Sequence, residues 1–200
     1  NVWDTEFHGE GAFYLGGYIA GKHLLELGHR HFLYLPGPKY NLSQTRRYAG
    51  IMDALSEANV PASNIREIDY HTVFGSSAES TSSYKPYEEL FFPVNYTAVI
   101  GFNDLQSYSA MEILQKKGYR IPEDISLISF DHLRKTHTYL PPLTSIADNS
   151  EKSIADTAVS ILLDKIRNPS SEISSEVLPV SIFDDHTTGP INETFAHSFE

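Results

Sequence analysis

The stretch Gly118-Tyr-Arg-Ile-Pro-Glu-Asp-Ile-Ser-Leu-Ile-Ser-Phe-Asp131 decides the fold class of this 200-residue chain. Its Ile125–Phe130 portion is almost continuously apolar or small, which is the pattern of a strand covered on both faces of its sheet. A strand with one wet face would alternate instead. Just upstream, Leu105–Lys117 repeats apolar residues at helical spacing and stops at Gly118, a residue suited to the left-handed end of a helix. Ahead of that lies another short apolar run, Thr97–Phe102. Strand, helix, strand, with connections long enough for a crossover, argues parallel pairing.

Working outward, the same alternation repeats. Ala12–Leu27 reads as a helix stopped by Gly28, and His31–Leu35 as a buried strand closed by Pro36-Gly37-Pro38. A second helix is expected from about Thr45 to Asn59 and a strand from Ile65 to Tyr70. Thr72–Ser83 is rich in Ser and Thr and reads as a surface loop, followed by a short helix with Pro86 in its first turn. Beyond Pro141-Pro142, the spacing of Ile154, Ala158, Ile161, Leu162 and Ile166 gives a helix over Ser150–Arg167 with a wide apolar stripe. Asn168-Pro169-Ser170-Ser171 ends it. Two β-type runs follow, around Val177 and at Val180–Phe183, and the polar tail after Gly189 is expected to fray. The class is α/β, a doubly wound parallel sheet.

Composition removes several functions. Fifteen Lys and Arg against 26 Asp and Glu leave a formal charge of −11, so the basic face that nucleic-acid backbones require is missing. Without cysteine there is no disulfide framework, no Cys-based zinc site and no thiol nucleophile. No apolar run approaches the roughly 18 residues of a membrane span, and the N-terminus does not resemble a signal peptide. The chain begins at Asn1 and reads as a piece of something longer.

In open parallel sheets, ligands sit beyond the carboxyl ends of the strands. Here those ends carry Asn41, Ser43 and Arg47, then Asp69 and Tyr70, Asn103 and Asp104, and finally Asp131 and His132. Carboxylates, amides, a guanidinium and an aromatic ring together suit a small polyol. The plainer alternative is that Asp104 caps the next helix and Asp69 merely ends a strand. Catalytic motifs are missing: there is no GxSxG elbow, no HExxH and no GxxxxGK[ST] loop. Gly16, Gly17 and Gly21 fall within a helix, which favours close packing over dinucleotide binding. His29 and His31 have no third ligand nearby, so capping or packing is expected rather than metal binding. Asp184-Asp185 reads as a solvated turn.

Several stretches together resemble the lactose-repressor (LacI/GalR) family of transcription regulators. They are Gly16-Gly17-Tyr18 with Gly28-His29-Arg30, Gly37 with Arg47-Tyr48-Ala49-Gly50, and Thr97-Ala98-Val99 leading to Asn103-Asp104. The Pro122-Glu-Asp-Ile-Ser-Leu-Ile128 block and Pro141-Pro142-Leu143-Thr144-Ser145-Ile146 complete the set and are its most specific parts. The resemblance runs from about Val2 to Pro190.

It implies a periplasmic-binding-protein-like (type I), two-lobed effector domain of which mainly the C-terminal lobe is present. That lobe would comprise 12–146 plus 179–189, with 1–11 plus 147–178 as crossing pieces of an incomplete N-terminal lobe and 190–200 as tail. The stripe of the Ser150–Arg167 helix would then face N-terminal-lobe sheet that precedes Asn1. Carried over by position, Asp131, Arg47, Asn103, Tyr70, Ser43, Asn41 and, more weakly, Asp4 with Thr5 would bind the effector. Gly11 stands where the family often has a hinge aspartate, and Asp185 where an arginine is common.

The likeness implies a small-molecule effector of the sugar, sugar phosphate or nucleobase class, a homodimer, and no cofactor or metal. It also implies a cytoplasmic repressor that touches DNA only through a helix-turn-helix not found in this sequence. A solute-binding receptor for sugar transport shares the fold, and a hydrolase or transferase is the third reading.

Overall fold

Phe32–Leu35 (β1) is buried at all four positions because its two side-chain sets enter two different cores. Phe32 and Tyr34 pack with Ala20, Leu24, Ile51 and Leu55 on one face of the sheet. Leu33 and Leu35 pack with Val99, Met111, Leu114 and Leu127 on the other. Ala98–Gly101 (β3) and Ser126–Phe130 (β4) are likewise buried throughout, which is the physical reason that these runs show no alternation. The computed structural model describes residues 11–38, 40–68, 88–135, 137–149, 154–172 and 177–196.

With Ile65–Glu67 (β2), Ser145–Asp148 (β5) and Val180–Phe183 (β6), the sheet has six strands in the order β2-β1-β3-β4-β5-β6. Pairing from β2 to β5 is parallel, with Phe32 beside both Ile65 and Ala98, and Ala98 beside Ser126. Only β6 runs antiparallel, against β5. Helices Ala12–Glu26 (α1) and Leu42–Glu57 (α2) cover one face, and Asp104–Lys116 (α3) covers the other. The doubly wound α/β sheet read from the sequence is therefore the fold, with one antiparallel strand at its edge. Among the described residues no helix is long and apolar enough to cross a membrane.

Gly28 and Gly118 stop α1 and α3 in the same way. Gly28 has φ +94° and Gly118 φ +91°. At each, the glycine and the residue after it donate back to carbonyls of the last turn: Gly28 to Leu25 and His29 to Leu24, Gly118 to Gln115 and Tyr119 to Leu114.

Four sequence expectations change. Helix α2 starts at Leu42, not near Thr45, because Asn41 caps it and makes the intervening turn helical. Ser145–Asp148 forms a strand that the sequence reading did not identify. Val177 lies outside any strand. Residues 190–196, expected to fray, return to the body: Ile191 donates its amide to the Leu27 carbonyl, and Phe195 packs edge-on against Tyr119. A short helix, Glu193–Ala196, sits there. The Thr72–Ser83 loop and the helix carrying Pro86 lie outside the described residues.

Ile154–Arg167 (α4) is helical as expected, but its stripe is open. Val159, Leu162, Leu163 and Ile166 are exposed, and only Thr157 is buried on this helix. Ile166→Lys or Leu162→Lys should therefore shift stability by no more than about 0.5 kcal/mol. Leu24→Ala, in the closed core, should cost about 2–5 kcal/mol. Urea unfolding of the three variants tests this; a large loss from either α4 change would mean that the stripe is covered.

Candidate functional site

Asp131 leaves the carboxyl end of β4 with φ +98°, and His132 follows with φ +48°. Two successive L residues in the left-handed region carry strain of about 1–3 kcal/mol each. The Asp131 amide is held by the Ile146 carbonyl on β5 at 2.9 Å. Its carboxylate accepts from Arg47 Nη2 at 3.0 Å and is itself partly open to solvent.

Arg47 comes from α2 and is buried. Nη1 donates to the Phe102 carbonyl at the end of β3, at 2.6 Å. The guanidinium carbon lies 4.4 Å from the Phe130 ring centre, 5.2 Å from Phe102 and 5.3 Å from Phe13. Such ring faces attract a desolvated cation. The Nε is buried with no hydrogen-bond partner among the described residues. One side chain thus joins α2, the end of β3 and Asp131.

Beside this pair is a cavity of about 210 Å³. Ala12, Phe13 and Gly16 of α1 form one wall, and Ile146, Ala147 and Asp148 of β5 another. Arg47, Phe130, Asp131, Ile154 and Val180 complete it. Clefts for drug-sized ligands run to roughly 300–1,000 Å³, so this space matches a smaller molecule. It offers flat apolar rings and a charged, hydrogen-bonding edge.

Of the residues singled out in the sequence, Arg47 and Asp131 meet here. Asn103 instead caps α3, its side-chain oxygen accepting from the Gln106 amide at 3.0 Å. Asn41 caps α2, accepting from the Ser43 amide at 2.9 Å and the Gln44 amide at 3.4 Å; Ser43 also donates its hydroxyl to Asn41. None of these three lines the cavity among the described residues. Asp4, Thr5, Asp69 and Tyr70 lie outside the described residues. Phe13, Phe130, Ile154 and Val180 were not anticipated, since apolar residues at helical or strand spacing read as core, and Asp148 was missed together with strand β5. The one available signal was that Phe130 directly precedes Asp131.

The plainer readings of the remaining polar residues also have structural answers. Asp104 does not cap α3, since Asn103 does; its buried carboxyl accepts from the Leu133 amide (2.6 Å) and the Ser145 hydroxyl (2.8 Å). Burial holds that carboxyl above the usual carboxylate range. His29 is buried, with Nδ1 2.9 Å from the Thr97 hydroxyl and Nε2 3.0 Å from the Gly189 carbonyl. A carbonyl only accepts, so Nε2 carries the proton and Nδ1 accepts. Asp185 pairs with Arg134 at 2.8 Å, and Asp184 accepts from the Thr144 hydroxyl and the His186 amide. Among the described residues no group of His, Asp or Glu could hold a metal ion. Gly17 and Gly50 are packing positions: a Cβ on Gly17 would collide with the Arg47 carbonyl, and one on Gly50 with the Tyr14 carbonyl.

Comparison with known proteins fits this architecture. A periplasmic binding protein-like domain model matches residues 22–188. The HTH-type transcriptional repressor PurR of Escherichia coli O139:H28 is 36% identical over 168 residues, covering 82% of this chain and 47% of the repressor. PurR of Mannheimia succiniciproducens is 34% identical over 152 residues, covering 76% and 43%. The chain thus spans about half the length of the curated relatives it matches.

Among solved structures, a LacI family transcriptional regulator from Enterococcus faecium with bound ribose superposes with a TM-score of 0.74 at 27% identity, covering 90% of this chain and 64% of that one. The dimeric Lac repressor superposes with a TM-score of 0.72 at 26% identity, covering 90% and 63%. The chain belongs to the periplasmic binding protein-like domain family, in the form carried by LacI-family transcriptional regulators.

Proposed function

We propose that this chain is the effector-sensing part of a cytoplasmic, DNA-binding transcriptional repressor, and that it performs no reaction. The observation that carries the reading is the Arg47–Asp131 pair at the wall of a small cavity with Phe13 and Phe130 as apolar faces. A sugar or sugar derivative presents hydroxyls to such an edge and its C–H face to such rings. Residues 12–146 with 179–189 form one lobe in this reading, and the ligand sits between it and a second lobe. Ligand binding favours one lobe angle, and a homodimer passes that bias to helix-turn-helix heads outside this chain.

Thermal-shift screening of the protein against pentoses, hexoses, their phosphates and nucleobases identifies the ligand class; D-ribose is the first probe because a similar structure holds it. A ligand at about 100 times its dissociation constant adds about 2.7 kcal/mol. Asp131→Ala should then weaken binding by about 1.5–3 kcal/mol, the usual worth of a hydrogen bond to a charged group. Arg47→Lys should also bind poorly, because an ammonium cannot reach Phe102 and Asp131 at once. An unaltered Kd in Asp131→Ala removes this residue from the site. Light scattering on the same samples should give twice the protomer mass.

A further inference from the structure

Asp104 begins α3 but leaves the capping to Asn103, and its carboxylate turns away from the helix toward β5 and the turn after β4. One oxygen accepts from the Leu133 amide at 2.6 Å. The other accepts from the Ser145 hydroxyl at 2.8 Å, and the Ser145 oxygen in turn accepts from the His132 amide at 3.0 Å. Two consecutive amides therefore end at one carboxylate, the second through a relay. The amide before them, that of Asp131, is tied to Ile146, the residue after Ser145.

These three amides belong to the turn in which Asp131 and His132 hold positive φ. Such a conformation persists in L residues only where the surroundings over-determine it. Asp104 is almost wholly buried, and among the described residues no ion pair reaches it. Its partners are an amide and hydroxyls, including that of Ser129. A carboxylate buried without a cation is costly unless each of its oxygens is hydrogen-bonded. Apart from Ser129, every partner it has lies on the Asp131 turn or on the strand that braces that turn.

We propose that Asp104 is a positioning residue for the candidate site: through Ser145 and the His132 and Leu133 amides, it fixes the turn that aims the Asp131 carboxylate at Arg47 and the cavity. Its consequence for ligand binding rests on the reading of Asp131 given above; its consequence for the Asp131–Arg47 pair does not.

The test uses 15N-labelled protein carrying Asp104→Asn, Ser145→Ala or Ser107→Ala, with Asp131→Asn as reference. Ser107 belongs to the same polar cluster, donating to Ser129, but touches neither turn amide. Asp104→Asn should speed hydrogen exchange at the His132 and Leu133 amides by about ten-fold or more, and Ser145→Ala chiefly at His132. In both, the Arg47 guanidinium resonances should move toward those of Asp131→Asn while melting stays cooperative. Ser107→Ala should leave the amides and Arg47 unmoved.

Arg47 signals unchanged in folded Asp104→Asn and Ser145→Ala would overturn the proposal, as would an equal response in Ser107→Ala. Should Asp104→Asn fail to fold, Ser145→Ala decides by the same criterion. D-ribose titration separates the two readings. Loss of ribose affinity in both variants extends the positioning role to binding. Failure of ribose to bind the unmodified protein counts against the sugar reading alone, because the Arg47 resonances need no ligand.

Discussion

Gly17→Val is expected to lower stability by about 3 kcal/mol or more, at the upper end of what overpacking costs. A Cβ on Gly17 falls on the Arg47 carbonyl, and a Cβ on Gly50 falls on the Tyr14 carbonyl and the Tyr18 nitrogen. The notches are reciprocal, so α1 and α2 touch backbone to backbone, and neither can yield without leaving the sheet. Native interiors have no slack to absorb such a displacement. The variant should also lose ligand affinity in whatever fraction folds, because the carbonyl being pushed is that of Arg47 itself. Gly118→Ala is the useful contrast. Its Cβ would meet nothing within 4 Å, and only its φ of +91° is strained, which predicts a cost nearer about 1 kcal/mol. Urea unfolding ranks the two; equal losses, or an unchanged midpoint for Gly17→Val, would contradict this helix crossing.

Between pH 7 and pH 4, His29 alone should withdraw about 3 kcal/mol of stability, since each tenfold loss of proton affinity on folding is worth about 1.36 kcal/mol. Burial pulls its imidazole down to about 4 from the ordinary 6.5. The unfolded chain therefore binds a proton at His29 that the folded chain refuses. Stability is complete above about pH 6.5 and falls as the pH drops toward 4. His23 is lowered as well, also by burial. Asp104, held above its ordinary value, works the opposite way and returns some stability as acid protonates it in the fold. His29→Gln should be less stable at pH 7, yet its stability should depend less steeply on pH than the unmodified protein's across this window. Parallel pH profiles for the two proteins would show that His29 is not the proton-linked group.

The sheet was legible because its strands are short, fully buried and punctuated. Gly28, Gly118 and the Pro36-Gly37-Pro38 run mark real ends, and the missing alternation in Ser126–Phe130 follows from helices on both faces. Strand β5 escaped notice because Ser145-Ile-Ala-Asp148 offers one strongly apolar side chain in four and follows two prolines. At the site, Arg47 and Asp131 stand 84 positions apart; the strand-end rule put both in one polar set, and the family resemblance gave both an effector-binding role. Asn41 and Asn103 have a structural role of their own, apart from that carry-over. Asparagine before a helix is as good a cap as it is a ligand, and here the side-chain oxygens go to backbone amides. The cavity's apolar walls were invisible in principle, since nothing in a phenylalanine's spacing distinguishes core from pocket.

The hydrogen bond from His29 to Gly189 joins positions 160 residues apart, and this gives the fold a late step in time. The Ser126 hydroxyl also donates to the Gly189 carbonyl, and the Leu127 amide to that of Thr187, so the start of β4 waits for the same arriving segment. Contacts of such separation close slowly. During synthesis at about 5–20 residues per second, the imidazole stands without that partner for on the order of ten seconds. Until residues 187–189 emerge, the nascent chain lacks the carbonyl to which the folded His29 donates.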